Sequence, residues 1–334
     1  MKMVKEVTFS EVNNLNDYLV EVREPIIFKG LAENWPMVKA ANISDNSFLD
    51  YLKQHHEPMI VGTGSVANEH QGRLFYNQEC SGFNFSRKSV AFDEFLDMLS
   101  SVDDTEQGQA HYMGSTNVDK LIPAIRADND IEALVDENPL VSIWLSNKTV
   151  VAAHQDLPNN VAVCVAGVRR FTLFPPEQIE NLYIGPIDLT PAGQAISLVD
   201  HRKPDFALHP KYKKALKTAL VAELQPGDAL LLPSLWWHCV ESLAPINGLV
   251  NFWWQQATAG AGAPMDALMH GIMNLGSLST VQKKAMKSLF DYYVFSDEPN
   301  RFKHIPEKAL GVLKTDDELS IRKLRALLLN KLNQ

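Results

Sequence analysis

The stretch Asn147–Pro176, NKTVVAAHQDLPNNVAVCVAGVRRFTLFPP, decides how the rest of the chain is read. His154 and Asp156 stand two positions apart in it. Because side chains alternate across a β-strand, this spacing sets an imidazole and a carboxylate on one face and Gln155 on the other. A second imidazole from a different strand would complete a two-histidine, one-carboxylate set on a metal, with the remaining coordination positions open. His238, in LLLPSLWWHCVES, is the candidate. It follows an apolar strand and two tryptophans, where a buried ring must be hydrogen-bonded or metal-bound. A core histidine satisfied by its surroundings is the bland alternative for His238 alone; the HxD pair in a β-rich frame turns the balance toward a metal.

Alternation carries the reading outward. Asn160, Ala162 and Cys164 share one face of the next strand, and Val161, Val163 and Val165 the other, so small and amide side chains point to a cavity while the valines pack. On the following strand Arg169, Phe171 and Leu173 form one set and Arg170, Thr172 and Phe174 the other. One of the two arginines therefore points inward, unless the strand is bulged. An inward guanidinium needs an anion, which a dicarboxylic cosubstrate would supply; two solvated arginines at a hairpin end are the alternative. Asn251 and Trp253 share a face with Gln255 further on and read as a site wall.

The same region is punctuated like a sandwich or barrel. Val141–Leu145, Thr149–Ala153, Val161–Val165, Arg170–Phe174, Ala229–Leu232 and Leu249–Trp254 read as short strands. Gly167, Pro175-Pro176 and Pro226-Gly227-Asp228 supply the turns between them. Residues 1–110 read as α/β elements flanking this core. They include a strand at Pro25–Lys29, a turn closing at Pro36, and an amphipathic helix with Phe92, Phe95, Leu96 and Leu99 on its core face. Residues 111–258 form the β core and 259–334 a helical region. Helices are expected over Met265–Leu275, Thr280–Tyr293 and Asp317–Leu332, with Ser279 or Thr280 capping the second and Asp316 or Asp317 the third. The apolar surface of the last helix has two explanations, packing on the core or a homodimer interface.

Composition bounds the function classes. With 334 residues, 46% hydrophobic and 21% charged, the chain is long enough for two average domains or for one β-barrel enzyme with appended helices. A formal net charge of -9 argues against nucleic acid as a main partner. The basic pieces His201–Lys203, Lys211–Lys217 and Arg322–Arg325 are short and read as solvated faces. Cys80, Cys164 and Cys239 show no CxxC spacing, so neither a disulfide framework nor a zinc knuckle is indicated. No signal peptide and no membrane span is read, and a cytoplasmic location is expected.

HxD, then PxN, then RRFTLFPP, PxxWWH and NFWW, in that order, resemble the JmjC-type, cupin-fold Fe(II)/2-oxoglutarate dioxygenases. The likeness is strongest to the cupin-8 group that includes the asparaginyl hydroxylase factor inhibiting HIF. It runs from about Pro25 to Trp254 and is dense from Ser146 to Phe174 and from Pro226 to Trp254. It implies a mainly β fold, a double-stranded β-helix (cupin or jelly-roll) core with flanking helices, and iron held by His154, Asp156 and His238. It also places Arg169 and Tyr112 at the far carboxylate of 2-oxoglutarate, Asn160 and Asn251 near the cosubstrate, and Trp253 in the pocket wall. Two positions depart from the hydroxylase pattern: Arg169 stands for a lysine, and Val151 for a threonine three positions before the first ligand. The implied activity is hydroxylation of a protein side chain or small molecule, with release of succinate and carbon dioxide. Demethylation is the lesser expectation, because no zinc-binding reader module accompanies these motifs. A cupin-fold metal-binding scaffold without turnover is the alternative.

Overall fold

The computed structural model describes residues 1–20, 22–101, 108–191, 193–255, 262–314 and 318–333. They fall into two compact units, Met1–Gln255 and Gln256–Gln334. In the first unit the strands run β1 Lys2–Met3, β2 Lys5–Thr8, β3 Ile26–Lys29, β4 Ile60–Ala67, β5 Arg73–Leu74, β6 Phe85–Ala91 and β7 Gln109–Asn117. They continue as β8 Leu140–Ser146, β9 Val150–His154, β10 Asn159–Ala166, β11 Arg169–Phe174, β12 Leu220–Leu224, β13 Ala229–Leu232, β14 Trp237–Ser242 and β15 Asn247–Trp254.

These strands make two sheets. One has the order β1-β12-β11-β14-β9-β5 and the other β2-β3-β13-β10-β15-β8-β7-β4-β6. Most neighbours are antiparallel, and β1/β12, β2/β3 and β5/β9 are parallel. The result is the expected mainly β, cupin-like sandwich with flanking helices. Residues before position 111 are built into it: β1 and β5 edge the smaller sheet, while β2, β3, β4 and β6 belong to the larger.

Alternation along the strands divides the apolar residues into layers, as a two-faced sheet requires. Phe171, Leu173, Leu224, Leu230, Leu232 and Val240 pack between the sheets, together with Ala162 and Cys164. Val161, Val163 and Val165 face the opposite side of the larger sheet, where helices cover them. Phe92, Phe95, Leu96 and Leu99 of the helix Phe92–Ser100 join that layer at their three- and four-residue spacing. Outside the smaller sheet Phe174, Trp237 and Cys239 pack under Tyr212 and Ala215 of the helix Tyr212–Thr218.

Turn chemistry fixes the order of the strands around the site. Gly167 joins β10 to β11 with φ +69, and a Cβ there would stand 2.4 Å from the Ile246 carbonyl oxygen, so only glycine fits. At the β13 turn Gly227 is likewise left-handed, and the Asp228 carboxylate accepts from the backbone N–H of Gly30 and Gln225 and from Lys29 Nζ. The expected turn runs over residues 30–34 and closes at Pro36, which also opens a helix. Proline occupies the first position of the helix Pro36–Ile43, where its missing N–H is no loss.

The second unit contains the helices Pro264–Leu275, Thr280–Tyr293 and Glu318–Leu332. Ser279 caps the middle one in a capping box with Gln282. The proposed caps Asp316 and Asp317 lie outside the described residues.

Candidate active site

His154 ends β9 and His238 begins the inward face of β14, and the two are direct cross-strand partners. Alternation then puts His238, Val240 and Ser242 opposite Leu173, Phe171 and Arg169 of β11, all facing between the sheets. Trp237 and Cys239 face out. The imidazole rings stand 4.2 Å apart between centroids. Asp156, just beyond β9, brings Oδ2 to 3.5 Å from His238 Nε2. One ligand atom from each of the three side chains lies within 4.8 Å of the others.

Each imidazole is oriented by its own backbone. His154 Nδ1 is 2.9 Å from the Ala152 carbonyl oxygen and His238 Nδ1 is 2.9 Å from that of Trp236. A carbonyl can only accept, so Nδ1 carries the proton and Nε2 keeps its lone pair toward the cavity, the tautomer a metal ligand needs. Burial, reinforced by the neighbouring His238, pulls His154 down to about 4, so its ring is neutral at pH 7. Burial works against the charge of Asp156, but the adjacent His238 and His154 imidazoles outweigh it and hold the carboxyl below its ordinary value. Two imidazole nitrogens and a carboxylate around open space fit a divalent cation such as Fe(II).

The triad lines a cavity of about 400 Å³. Tyr112 of β7, Trp144 of β8, Val151 of β9, Asn160 of β10, Arg169 of β11, and Asn251 and Trp253 of β15 line it as well. The two sheets therefore share the work, the smaller supplying the histidines and the arginine, the larger the amides and most of the aromatic rings. Arg169 is the arginine that turns inward; it is 2% exposed, and its Nε and Nη2 have no hydrogen-bond partner. Burial depresses its basicity. Arg170 points the other way and pairs with Glu223 at 2.9 Å. A guanidinium buried without a counter-ion costs several kcal/mol, so the cavity is built to receive an anion. Burial raises the Tyr112 phenol above its usual range, against a smaller opposing effect of Arg169, and the hydroxyl stays protonated. Asn251 donates from Nδ2 to Asn160 Oδ1 at 2.8 Å, while Asn251 Oδ1 is left without a partner.

The structure thus brings together all eight residues singled out from the sequence. Reading the sequence missed Trp144 and Ser115, which also line the cavity. Trp144 shares the inward face of β8 with Ser142 and Ser146, opposite Leu249 of β15. The alternating polar pattern Ser142, Trp144, Ser146 was the available signal.

Sequence comparison agrees with this geometry. A family model described as Cupin-like domain matches residues 12–260. "JmjC domain-containing protein D" of Dictyostelium discoideum is 26% identical over 247 residues, 69% of this chain and 51% of the relative. "Lysine-specific demethylase JMJ31" of Arabidopsis thaliana is 26% identical over 268 residues, 69% of this chain and 46% of the relative. "tRNA wybutosine-synthesizing protein 5" of Danio rerio is 24% identical over 194 residues, 51% of this chain and 54% of the relative. The chain therefore spans about half the length of the curated relatives it matches. With the family model covering most of the chain and the histidine–aspartate–histidine cluster at the centre of the sandwich, the chain belongs to the Cupin-like domain family.

Proposed function

We propose that the protein is an Fe(II)- and 2-oxoglutarate-dependent oxygenase that hydroxylates a protein side chain or a small molecule. The observation that carries this reading is the unpaired, buried Arg169 guanidinium in the same cavity as the three convergent metal ligands. Iron with 2-oxoglutarate and dioxygen supplies oxidation of a C–H bond, coupled to loss of carbon dioxide and formation of succinate. His154, Asp156 and His238 hold the iron. Arg169 binds the far carboxylate of the cosubstrate through its fork of donors, and the protonated Tyr112 donates to the same group. Asn251 and Asn160 are a coupled amide pair that orients the cosubstrate, with the free Asn251 Oδ1 as an acceptor. Trp253, Trp144 and Phe171 keep the cavity dry, which strengthens each of these contacts.

Val151 favours a second reading, a metal-binding scaffold without turnover, because a threonine at that place in the asparaginyl hydroxylase pattern would give the cosubstrate a hydroxyl. Succinate release distinguishes the two. The oxygenase forms succinate from 2-oxoglutarate when Fe(II) is added; the scaffold binds metal and forms none.

Among the described residues no helix is long and apolar enough to cross a membrane. We also propose that the chain self-associates through its C-terminal helices. Met265, Leu268, Met269, Ile272 and Met273 follow three- and four-residue spacing along the helix Pro264–Leu275, and each is between 39% and 61% exposed. Sedimentation of the full chain should give a dimer, and Leu268→Glu with Ile272→Glu should give a monomer; a wild-type monomer contradicts the idea.

A further inference from the structure

A second concavity, of about 470 Å³, opens beside the metal cavity and shares Tyr112, Ser115, Trp144 and Val151 with it. Its floor is β4, which lies between β7 and the outermost strand β6. Register places Gly64 between Tyr112 and Arg87, and Gly62 opposite Ser89, so these residues share one face. A Cβ at Gly62 would meet nothing within 4 Å. The two glycines thus leave a trough that is open at Gly62 and bordered by the Phe85 and Leu74 side chains at Gly64, running from the sheet edge toward Tyr112.

Arg87 stands over this trough in a fixed position. Its guanidinium lies 4.6 Å from the Phe83 ring centroid and 5.4 Å from that of Phe85, and Nη2 donates to the Pro191 carbonyl at 2.6 Å. Every one of these partners is neutral, so the positive charge is oriented but not cancelled. Among the described residues Arg87 has no ion pair, and no carboxylate lines the trough. Within a chain of net charge -9, this is a local cationic spot on the approach to the metal. Beside it, β6 ends the larger sheet; Ser86, Arg87, Lys88 and Ser89 are exposed, and no described strand pairs with the outer edge. A free strand edge offers alternating N–H and C=O groups at the spacing of an extended peptide, which a nucleic-acid backbone does not match.

We propose that the trough binds an extended peptide segment bearing an acidic side chain, which adds to the edge of β6 and places its carboxylate on Arg87. A neighbouring side chain of the segment then reaches past Tyr112 and Trp144 into the metal cavity. The oxidation of that side chain rests on the oxygenase reading; the binding does not. Arg87 is on this view a specificity residue, selecting acidic segments and rejecting basic ones.

The test is retention of a randomised synthetic peptide library on the immobilised full chain, comparing wild type with Arg87→Gln and Arg87→Glu. Retained peptides should be enriched in Asp and Glu by about tenfold in wild type, the scale of one charge-assisted hydrogen bond. Arg87→Gln keeps an N–H donor for the Pro191 carbonyl and should lose the enrichment while unfolding at the same temperature. Arg87→Glu should shift it to Lys and Arg, a reversal that a merely structural role for Arg87 would not produce. No acidic enrichment in wild type, or the same enrichment in both variants, overturns the proposal. So does retention of an oligouridylate probe in place of acidic peptides, which would assign the cation to a phosphate backbone. Succinate release by wild type is measured in parallel. Acidic enrichment without succinate would leave the trough standing and sink the oxygenase reading; succinate without enrichment would do the reverse.

Discussion

His154 and His238 face each other across adjacent antiparallel strands, and each ring is locked by the carbonyl two residues before it in the chain. Local backbone thus presets two Nε2 lone pairs toward one point, and Asp156 closes the set. A site whose ligands are already oriented gives up little on binding a metal.

Metal should therefore stabilise the first unit strongly. At a free Mn(II) or Fe(II) concentration about 100 times the dissociation constant, stabilisation is about 2.7 kcal/mol. For a unit of this size that raises the unfolding midpoint by roughly 5–10 °C. Asp156→Ala should abolish the rise without altering the metal-free midpoint by more than a degree or two. Thermal unfolding with and without chelator checks this.

Arg169 yields an opposite pair of effects. Arg169→Met removes a buried charge that has no partner, so the protein without cosubstrate should be as stable as wild type or more stable, by roughly 1–4 kcal/mol. The same substitution should eliminate binding of 2-oxoglutarate to the metal-loaded protein. Denaturant unfolding gives the first quantity and calorimetric titration the second. A destabilised variant that still binds 2-oxoglutarate would show that the guanidinium has a structural partner instead.

Gly167→Ala tests how the turn sets the arginine. The left-handed φ and the Ile246 carbonyl 2.4 Å from the added Cβ leave no room, so destabilisation of at least 1–3 kcal/mol is expected. Because Arg169 follows two residues later, affinity for 2-oxoglutarate should fall as well. Gly62→Ala, where a Cβ meets open space, is the control and should be neutral to stability.

The thiols should divide sharply. Burial pushes both Cys164 and Cys239 up to about 12, so each remains a protonated thiol at pH 8. Cys80 is only half-buried. Iodoacetamide on the native protein should add one group, at Cys80, and three after unfolding, read by intact mass and peptide mapping.

The metal ligands were legible because strand alternation needs only local spacing: His154 and Asp156 sit two apart, and the apolar run before His238 makes a strand. The choice between Arg169 and Arg170 was not legible from their own strand. It is decided by the pairing of β11 with β14, where Arg169 stands opposite Ser242 on the inner face and Arg170 opposite Glu241 on the outer. The strands β4 and β6 were also obscure. Two glycines interrupt the apolar pattern of IVGTGSVA, and FSRKSVA is polar because it is an edge, so neither has the alternation that marks a half-buried strand. Trp144 escaped notice because its inward direction depends on β8 lying beside β15, a contact between residues about a hundred positions apart.

The most direct measurement is succinate formed from 2-oxoglutarate under air by chelator-stripped protein after addition of Fe(II), in wild type, His154→Ala and Arg169→Met. Succinate and carbon dioxide should form in equal amounts with wild type, and none above background with either variant. Tight metal binding with no succinate from wild type, or equal succinate from all three proteins, would contradict the oxygenase reading.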